Sequence, residues 1–388
     1  MQLERTRVLY LLDDPSKDKH VHRYVLNGLV EEGFSPTILY FYGDSRDSVM
    51  TNDHIDATDL GLGKRQFRGL NPGAVVRLGR YISDRGFSIV HAQRHRPLVH
   101  AALALSGRKG IGLFYTVRAT NVFRGINRRL FFRLFGSRIA KIIGVSRGVI
   151  DYCKESLPFF PRERMTVIYN GVNLSKFDID CSMQDARRFL GIPEEGFCFG
   201  IVARLKKAKC HVRILVAFKE LLCSFPDTMF AIVGDGPLER NLRMLAKDLN
   251  IENKVFFTGK VDYEEVPIAM RAFDCFVHPS FREGLAVAVL EAMAARLPVI
   301  ISNAPGLADI FCPEDGFCME EEIGQMVTAR NVPELVQAMK RYRALDGDGL
   351  RRIGLNARRH IERYFSREQM VSKTVGLYKD FLQKDNAE

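Results

Sequence analysis

Residues 8–42 read VLYLLDDPSKDKHVHRYVLNGLVEEGFSPTILYFY. Val8 to Leu12 is an unbroken apolar run that stops at Asp13 and Asp14, and Thr37 to Tyr42 is a second run rich in β-branched and aromatic residues. Each has the length and composition of a strand. Between them Val21, Val25, Leu29 and Val30 recur at helical spacing, and Gly33 follows as a stop. A strand, a helix and a strand in that order make one unit of a parallel sheet.

The same alternation runs through the chain. Ser88–Ala92, Leu113–Val117, Ile139–Val145 and Thr166–Tyr169 read as further strands of the first half. Phe197–Ala203, Met229–Val233, Val255–Thr258, Cys275–His278 and Pro298–Ser302 repeat the plan in the second. The fold class is therefore α/β, with two doubly wound, Rossmann-like domains. The first covers 1–175 and the second 197–365. A connector at 176–196 is marked by weak periodicity, a Pro and several acids. An amphipathic helix closes the chain over 366–388 and is a candidate to cross back to the first domain. Sheets of this kind bind ligands beyond the carboxyl ends of their strands, so the two domains are expected to face a central cleft. A length of 388 residues suits two domains at about 150 residues each.

Composition narrows the function classes. With 46% hydrophobic and 27% charged residues the chain is an ordinary globular one, which excludes disorder as its main state. No apolar run approaches the ~18 residues of a membrane span, and no signal peptide is recognisable. Eight cysteines without a Cys-x-x-Cys pair read as reduced thiols, pointing to a cytosolic protein and to no zinc site. The net charge of +11 is lopsided: residues 1–180 carry 28 basic and 17 acidic side chains, and the remainder is balanced. Residues 61–150 hold 18 basic residues and a single acid, Asp84, enough for a positive surface field.

Two constellations carry chemistry. Residues 278–300, HPSFREGLAVAVLEAMAARLPVI, read as a strand end, a Glu-Gly turn and a small-residue helix stopped by Pro298. The helix start offers the amides of Gly284, Leu285 and Ala286 to a phosphate. Glu283 lies at its mouth. Glu291, on an otherwise apolar helix, is either a satisfied helix residue or a ligand-binding one. The second constellation follows the strand at 197–203, where Arg204 and Lys209 supply a planar fork and a mobile point charge, the pair suited to a diphosphate. A tight turn at Gly234-Asp-Gly-Pro237 ends the next strand on the same rim.

Taken together, Ala203-Arg204-Leu205 with Lys209, the turn at Gly234, Phe257-Thr-Gly259, Pro279-Ser280, Glu283-Gly284 and Glu291-Ala-Met, with seven residues between the two glutamates, resemble the group 1 retaining glycosyltransferases of family GT4, which have the GT-B fold. Val145-Ser146 and Val167-Ile-Tyr-Asn170-Gly-Val-Asn173 match upstream signatures. The resemblance implies that Arg204 and Lys209 hold the diphosphate of a nucleotide-sugar. Glu291 then accepts the ribose hydroxyls, and Glu283 with the Gly284 and Leu285 amides faces the donor sugar and phosphates. Fixed cations on the departing diphosphate make a metal unnecessary. No cofactor is expected, and Asp178-Ile-Asp180 reads as surface charge. In the first domain the sequence departs from the family: Ser16 and Lys17 stand where a Gly-Gly turn is usual, Arg118 where a His is frequent, and Gln93 follows His91 where a second His is frequent. Ser16, Lys17, His91 and Arg118 are the candidate acceptor or donor-sugar contacts.

Between Val117 and Lys141 there are seven basic residues and no acid, interleaved with aromatics. Arg124, Arg128, Arg129 and Arg133 with Phe131 and Phe132 form either an interfacial helix drawn to anionic lipid or a helix whose aromatics pack inward. No nucleic-acid module accompanies this charge, and no nucleic-acid partner is expected. The expected function is a cytoplasmic glycosyltransferase, peripheral on the inner face of the membrane. It moves a sugar from a nucleotide diphosphate to a glycan or lipid-linked acceptor, as in lipopolysaccharide or surface polysaccharide assembly. The alternative is a non-catalytic glycosyltransferase-like binding or scaffold protein.

Overall fold

The computed structural model describes residues 6–17, 20–67, 69–313 and 320–385. Among them, thirteen strands form two sheets, and every pairing is parallel. The first sheet holds β1 (Arg7–Leu12), β2 (Ser35–Tyr42), β3 (Asp56–Leu62), β4 (Ile89–Ala92), β5 (Gly112–Val117), β6 (Ile139–Gly144) and β7 (Met165–Val167) in the order 3-2-1-4-5-6-7. The second holds β8 (Cys198–Val202), β9 (Met229–Val233), β10 (Val255–Gly259), β11 (Cys275–His278), β12 (Val299–Ser302) and β13 (Gly324–Val327) in the order 10-9-8-11-12-13. Each order reverses once, between β1 and β4 and between β8 and β11. Right-handed crossovers then send the helices on either side of each reversal to opposite faces, which opens a crevice at the strand ends.

The strands read from sequence are present to within a few residues, and two more complete the sheets. Both are edge strands. Asp56–Leu62 carries two Asp and a Gly and is only intermittently buried, and Gly324–Val327 has four residues. Paired on one side only, neither needs the continuous apolar run that marks a central strand.

The chain divides into two units, residues 1–170 with 367–388 and residues 171–366. The closing helix Arg367–Asp385 is thus part of the first unit. It packs on the helix His20–Glu31, where Gly28 leaves room for Val371: a Cβ at Gly28 would lie 2.2 Å from Val371 Cγ1. Tyr378 is buried there among His91, Phe34 and Phe114.

The segment 176–196 is built into the second unit. Its helix, Met183–Leu190, starts at Ser182, whose hydroxyl accepts from the Asp185 amide, and ends at Gly191 in the left-handed conformation. Arg187, only 3% exposed, donates to the carbonyls of Glu194, Gly196 and Ala272 and pairs with Asp274 at 2.9 Å. Asp178 is exposed, as its reading as surface charge expects, and is also clamped by Arg296 at 2.7 Å and Arg358 at 2.8 Å. Burial raises its pKa, but those two guanidiniums outweigh it and hold the carboxyl below its usual range. Among the described residues six cysteines are free thiols, whereas Cys312 is disulfide-bonded, so the expectation of reduced thiols fails there. Lack of a Cys-x-x-Cys pair bears on metal sites and leaves loop-closing bridges open.

Removing Arg187 takes the cation from the Asp274 carboxylate, which keeps the Cys198 amide, and the donor from three carbonyls at once. Arg187→Ala is expected to cost about 3–5 kcal/mol of unfolding free energy, the penalty for breaking one side of a buried pair. Denaturant titration of the second unit's transition checks it.

Candidate active site

In the second unit the loops leaving β8 and β11 come together at the strand-order reversal. The loop after β8 passes through a turn at Lys207–Lys209 and then Cys210, which takes a left-handed φ of 60°. The Phe281 amide donates to the Ala208 carbonyl, tying it to the loop after β11. Lys209 Nζ reaches Glu283 Oε1 at 2.5 Å, and His278 Nε2 approaches the same oxygen at 3.1 Å. Ser280 Oγ lies 3.2 Å from that His278 nitrogen. Arg204 is exposed on the β8 loop.

The turn at Gly234 has a structural reason for its glycine. Its φ is 140°, and a Cβ would lie 2.1 Å from the Ala203 carbonyl oxygen. That close approach lets the Leu205 amide donate to Asp235 O at 2.7 Å, which fixes the Arg204 loop against the β9 loop. Gly306 does the same for the β11 loop, with the prospective Cβ 2.1 Å from Gly284 O. The helix Val287–Ala294 begins next to Gly284, Leu285 and Ala286, and no side chain caps it.

The two acids differ in state. Burial pushes Glu283 up, but hydrogen bonding and charge from His278 and Lys209 prevail and bring its pKa to about 2. Burial and the field of Lys209 lower the His278 pKa. An ionised carboxylate can only accept, so His278 carries a proton on Nε2 toward Glu283. His278 Nδ1 is buried without a partner. Glu291 is 5% exposed, and burial raises its pKa from 4.5 to about 7, against the field of Lys176 and a hydrogen bond from Tyr263.

Comparison with known proteins now bears on this site. Residues 182–352 match the family described as glycosyl transferases group 1, and residues 20–176 match glycosyltransferase family 4. Sulfoquinovosyl transferase SQD2 of Arabidopsis thaliana is 33% identical over 389 residues, covering 93% of this chain and 71% of that protein. The chain belongs to the group 1 glycosyltransferases of family 4. An Escherichia coli relative, UDP-Gal:alpha-D-GlcNAc-diphosphoundecaprenol alpha-1,3-galactosyltransferase, is 31% identical over 224 residues, 56% of this chain. The chain matches only 55% of that relative's length. Anabaena HepE, solved in complex with UDP and glucose, superposes with a TM-score of 0.78 at 18% identity over 97% of this chain and 100% of that one, a likeness of fold. The architecture is GT-B.

Of the residues that the family pattern singles out, the structure joins Lys209 to Glu283. Glu291 has a different neighbourhood, Tyr263 and Lys176, with the Lys176 ammonium 3.2 Å from the centre of the Tyr263 ring. Sequence reading missed Lys176, Tyr263 and the contact of His278 with Glu283. Only for His278 was a signal present, five residues before Glu283 at a strand end.

The first unit revises several expectations. His91 is 3% exposed, with Nδ1 2.5 Å from the Tyr378 hydroxyl and Nε2 2.7 Å from Thr116 Oγ1. Both ring nitrogens are occupied, so His91 holds the closing helix and has none left for a ligand. Burial drops its pKa to about 3, leaving it neutral. Arg118 is partly buried, and its guanidinium donates to Asn170 Oδ1 at 2.8 Å and Gln93 Oε1 at 2.9 Å. Ser16 turns back on Asp14, and the side chain of Lys17 lies outside the described residues. Phe131 and Phe132 are 8% and 1% exposed, packed with His95, Phe123 and Phe160, so they are core rather than membrane surface. The opposite face of their helix, Ile126–Phe135, exposes Ile126, Leu130 and Leu134 beside Arg124, Arg128, Arg129 and Arg133.

Because the folded state holds the Glu291 proton more tightly than the unfolded chain, this group's contribution to stability is full below pH 4.5 and is lost as pH rises to about 7. At about 1.4 kcal/mol per pH unit the loss is on the order of 3 kcal/mol. Glu291→Gln is expected to remove that slope: denaturant midpoints at pH 5 and pH 8 should lie closer together than in the parent protein.

Proposed function

We propose that the chain transfers a sugar from a nucleoside diphosphate to a glycan or lipid-linked acceptor, with retention of configuration and without a metal ion. The observation that carries this reading is the ionised Glu283 held between Lys209 and His278, beside an uncapped helix start at the β8/β11 reversal. A fixed cation and outward amides suit the diphosphate leaving group, and an acid kept ionised suits the positive character that grows on the sugar carbon. Arg204 adds a second cation to the same group, and Glu291 binds the ribose hydroxyls. In the transfer, the bond from the sugar's anomeric carbon to the phosphate oxygen breaks, and the acceptor oxygen bonds to that carbon on the same face. The acceptor's hydroxyl proton passes to the departing phosphate, so no protein base is needed. The Escherichia coli relative, named for a diphospholipid-linked acceptor, supports an acceptor of that class in envelope glycan assembly.

Among the described residues no helix is long and apolar enough to cross a membrane. We assign membrane contact to the helix Ile126–Phe135 instead. Its exposed Ile126, Leu130 and Leu134 recur every fourth residue, one stripe of a helix, and arginines flank them. Apolar insertion combined with positive charge selects an anionic bilayer on the cytoplasmic side.

With a panel of nucleotide-sugars and a membrane extract as acceptor, the protein should release nucleoside diphosphate. Lys209→Ala should cut kcat about 10²–10³-fold, the usual worth of one preorganised charge-stabilising group. Tight nucleotide binding with no turnover on any extract would favour the non-catalytic reading. In flotation with phosphatidylglycerol vesicles the parent protein should rise with the lipid, and Leu130→Glu/Leu134→Glu should stay at the bottom. Equal flotation of both would reject the helix as the contact.

A further inference from the structure

The reversal in the first sheet, between β1 and β4, also has a cavity at its strand ends, with a volume of about 510 Å³. It is lined by the residues that follow β1, β4 and β5, and arginines dominate it: Arg94, Arg96, Arg118 and Arg128. The one acid in its wall, Asp13, already faces Arg94 at 3.6 Å. Two features show a site built for something that is not protein. The first is Arg118, which is partly buried and held by the neutral amides of Asn170 and Gln93, with no carboxylate partner among the described residues. A cation withdrawn from water without a counter-charge is costly unless a ligand supplies one. The second is Gln93, only 4% exposed. Its oxygen accepts from Arg118, and its Nε2 donor is buried with no partner. The helix His95–Ala104 starts at the same wall, and no side chain caps it. Its first amides and its dipole add to the positive potential. Burial, then the fields of Arg128 and Arg96, push the His95 imidazole down to about 4, so it stays neutral there.

We propose that this cavity binds a phosphoryl or diphosphoryl group carried by the acceptor. The inference rests on the transferase reading and adds an acceptor-recognition site to it. Four guanidiniums match the charge and the many acceptor oxygens of a diphosphate. The volume exceeds what a phosphate fills and leaves room for an attached sugar ring. Arg118 is then a residue that touches the phosphoryl oxygens, and Asn170 and Gln93 position it.

The probe is inorganic pyrophosphate, titrated calorimetrically into the full chain at low salt. Because the second unit's cations also attract it, the background is Arg204→Gln/Lys209→Gln. That protein should still bind pyrophosphate. Adding Arg94→Gln/Arg128→Gln, two exposed positions whose loss the fold tolerates, should weaken binding at least tenfold. Arg118→Lys, which keeps the charge but loses the fork, should weaken it less. Affinity unchanged by the Arg94 and Arg128 substitutions overturns the proposal. Displacement of the pyrophosphate by phosphatidylglycerol vesicles in a Leu130→Glu/Leu134→Glu background, where the helix no longer engages lipid, would assign the site to a bilayer headgroup and also overturn it. Failure of the transferase reading looks different: pyrophosphate binding persists in the cavity while no nucleotide-sugar is turned over.

Discussion

Strand-order reversal is the constraint from which the rest follows. In a parallel sheet every strand ends on the same rim, and loops normally leave that rim toward one face and close over it. Where β8 meets β11, the chain after one strand turns to one face and the chain after the other turns to the opposite face. The rim stays open there, and side chains from distant stretches of sequence, Lys209 and Glu283, meet across it. The glycines at 234 and 306 serve this geometry, since each lets one loop backbone rest on another where a methyl group would collide. The site is rigid because its loops are bonded to one another: Ala208 to Phe281, Leu205 to Asp235.

An ion pair at such a place is not there for stability. Taking Lys209 and Glu283 largely out of water costs several kcal/mol before their attraction is counted, and an apolar pair would pack as well. What the pair fixes is protonation and direction. Glu283 remains ionised down to strongly acid pH because two donors converge on one of its oxygens, while Glu291, a helical turn or two further on, is buried deeply enough to outweigh Lys176 and Tyr263 and holds its proton to about pH 7. One short stretch of chain thereby carries two carboxyl groups in opposite states at moderately acid pH, set by their surroundings alone.

How much of this could be read from sequence depends on how many faces a residue shows to the core. Central strands such as Val8–Leu12 and Cys275–His278 are buried on both sides, so their apolar runs identify them directly. The edge strands Asp56–Leu62 and Gly324–Val327 carry polar residues and glycine because water reaches them, and the pattern fades. That Lys209 and Glu283 share one rim followed from the motifs and the sheet plan, whereas their direct ion pair did not. Lys176 and Tyr263 beside Glu291 leave no local trace, since tertiary packing alone brings them there. Phe131 and Phe132 were misassigned because their helix is apolar on both faces, and only the neighbouring His95 and Phe160 decide which face is inward. His91 looked available for chemistry because the helix that occupies it, through Tyr378, comes from the far end of the chain.

The uneven charge of the chain takes on a physical meaning once its arginines are located. A surplus confined to 61–150 has a single acid within that stretch, Asp84, and self-repulsion on that scale is tolerated only if it is dispersed or if counter-charge arrives from outside. The structure disperses part of it along the exposed helix Ile126–Phe135 and concentrates the rest at the β1/β4 reversal, where Arg118 meets amides in place of carboxylates. In the second unit the opposite choice was made: Asp178, Asp274 and Glu283 each hold at least one cation, and residues 171–366 carry 26 basic and 27 acidic side chains. An arginine whose partners are neutral keeps its full charge for whatever enters the crevice, whereas a lysine already bonded to a carboxylate must share it. The first unit is therefore the one poised to take up anionic groups from outside, and Arg118 lies where such a group would bring the missing counter-charge.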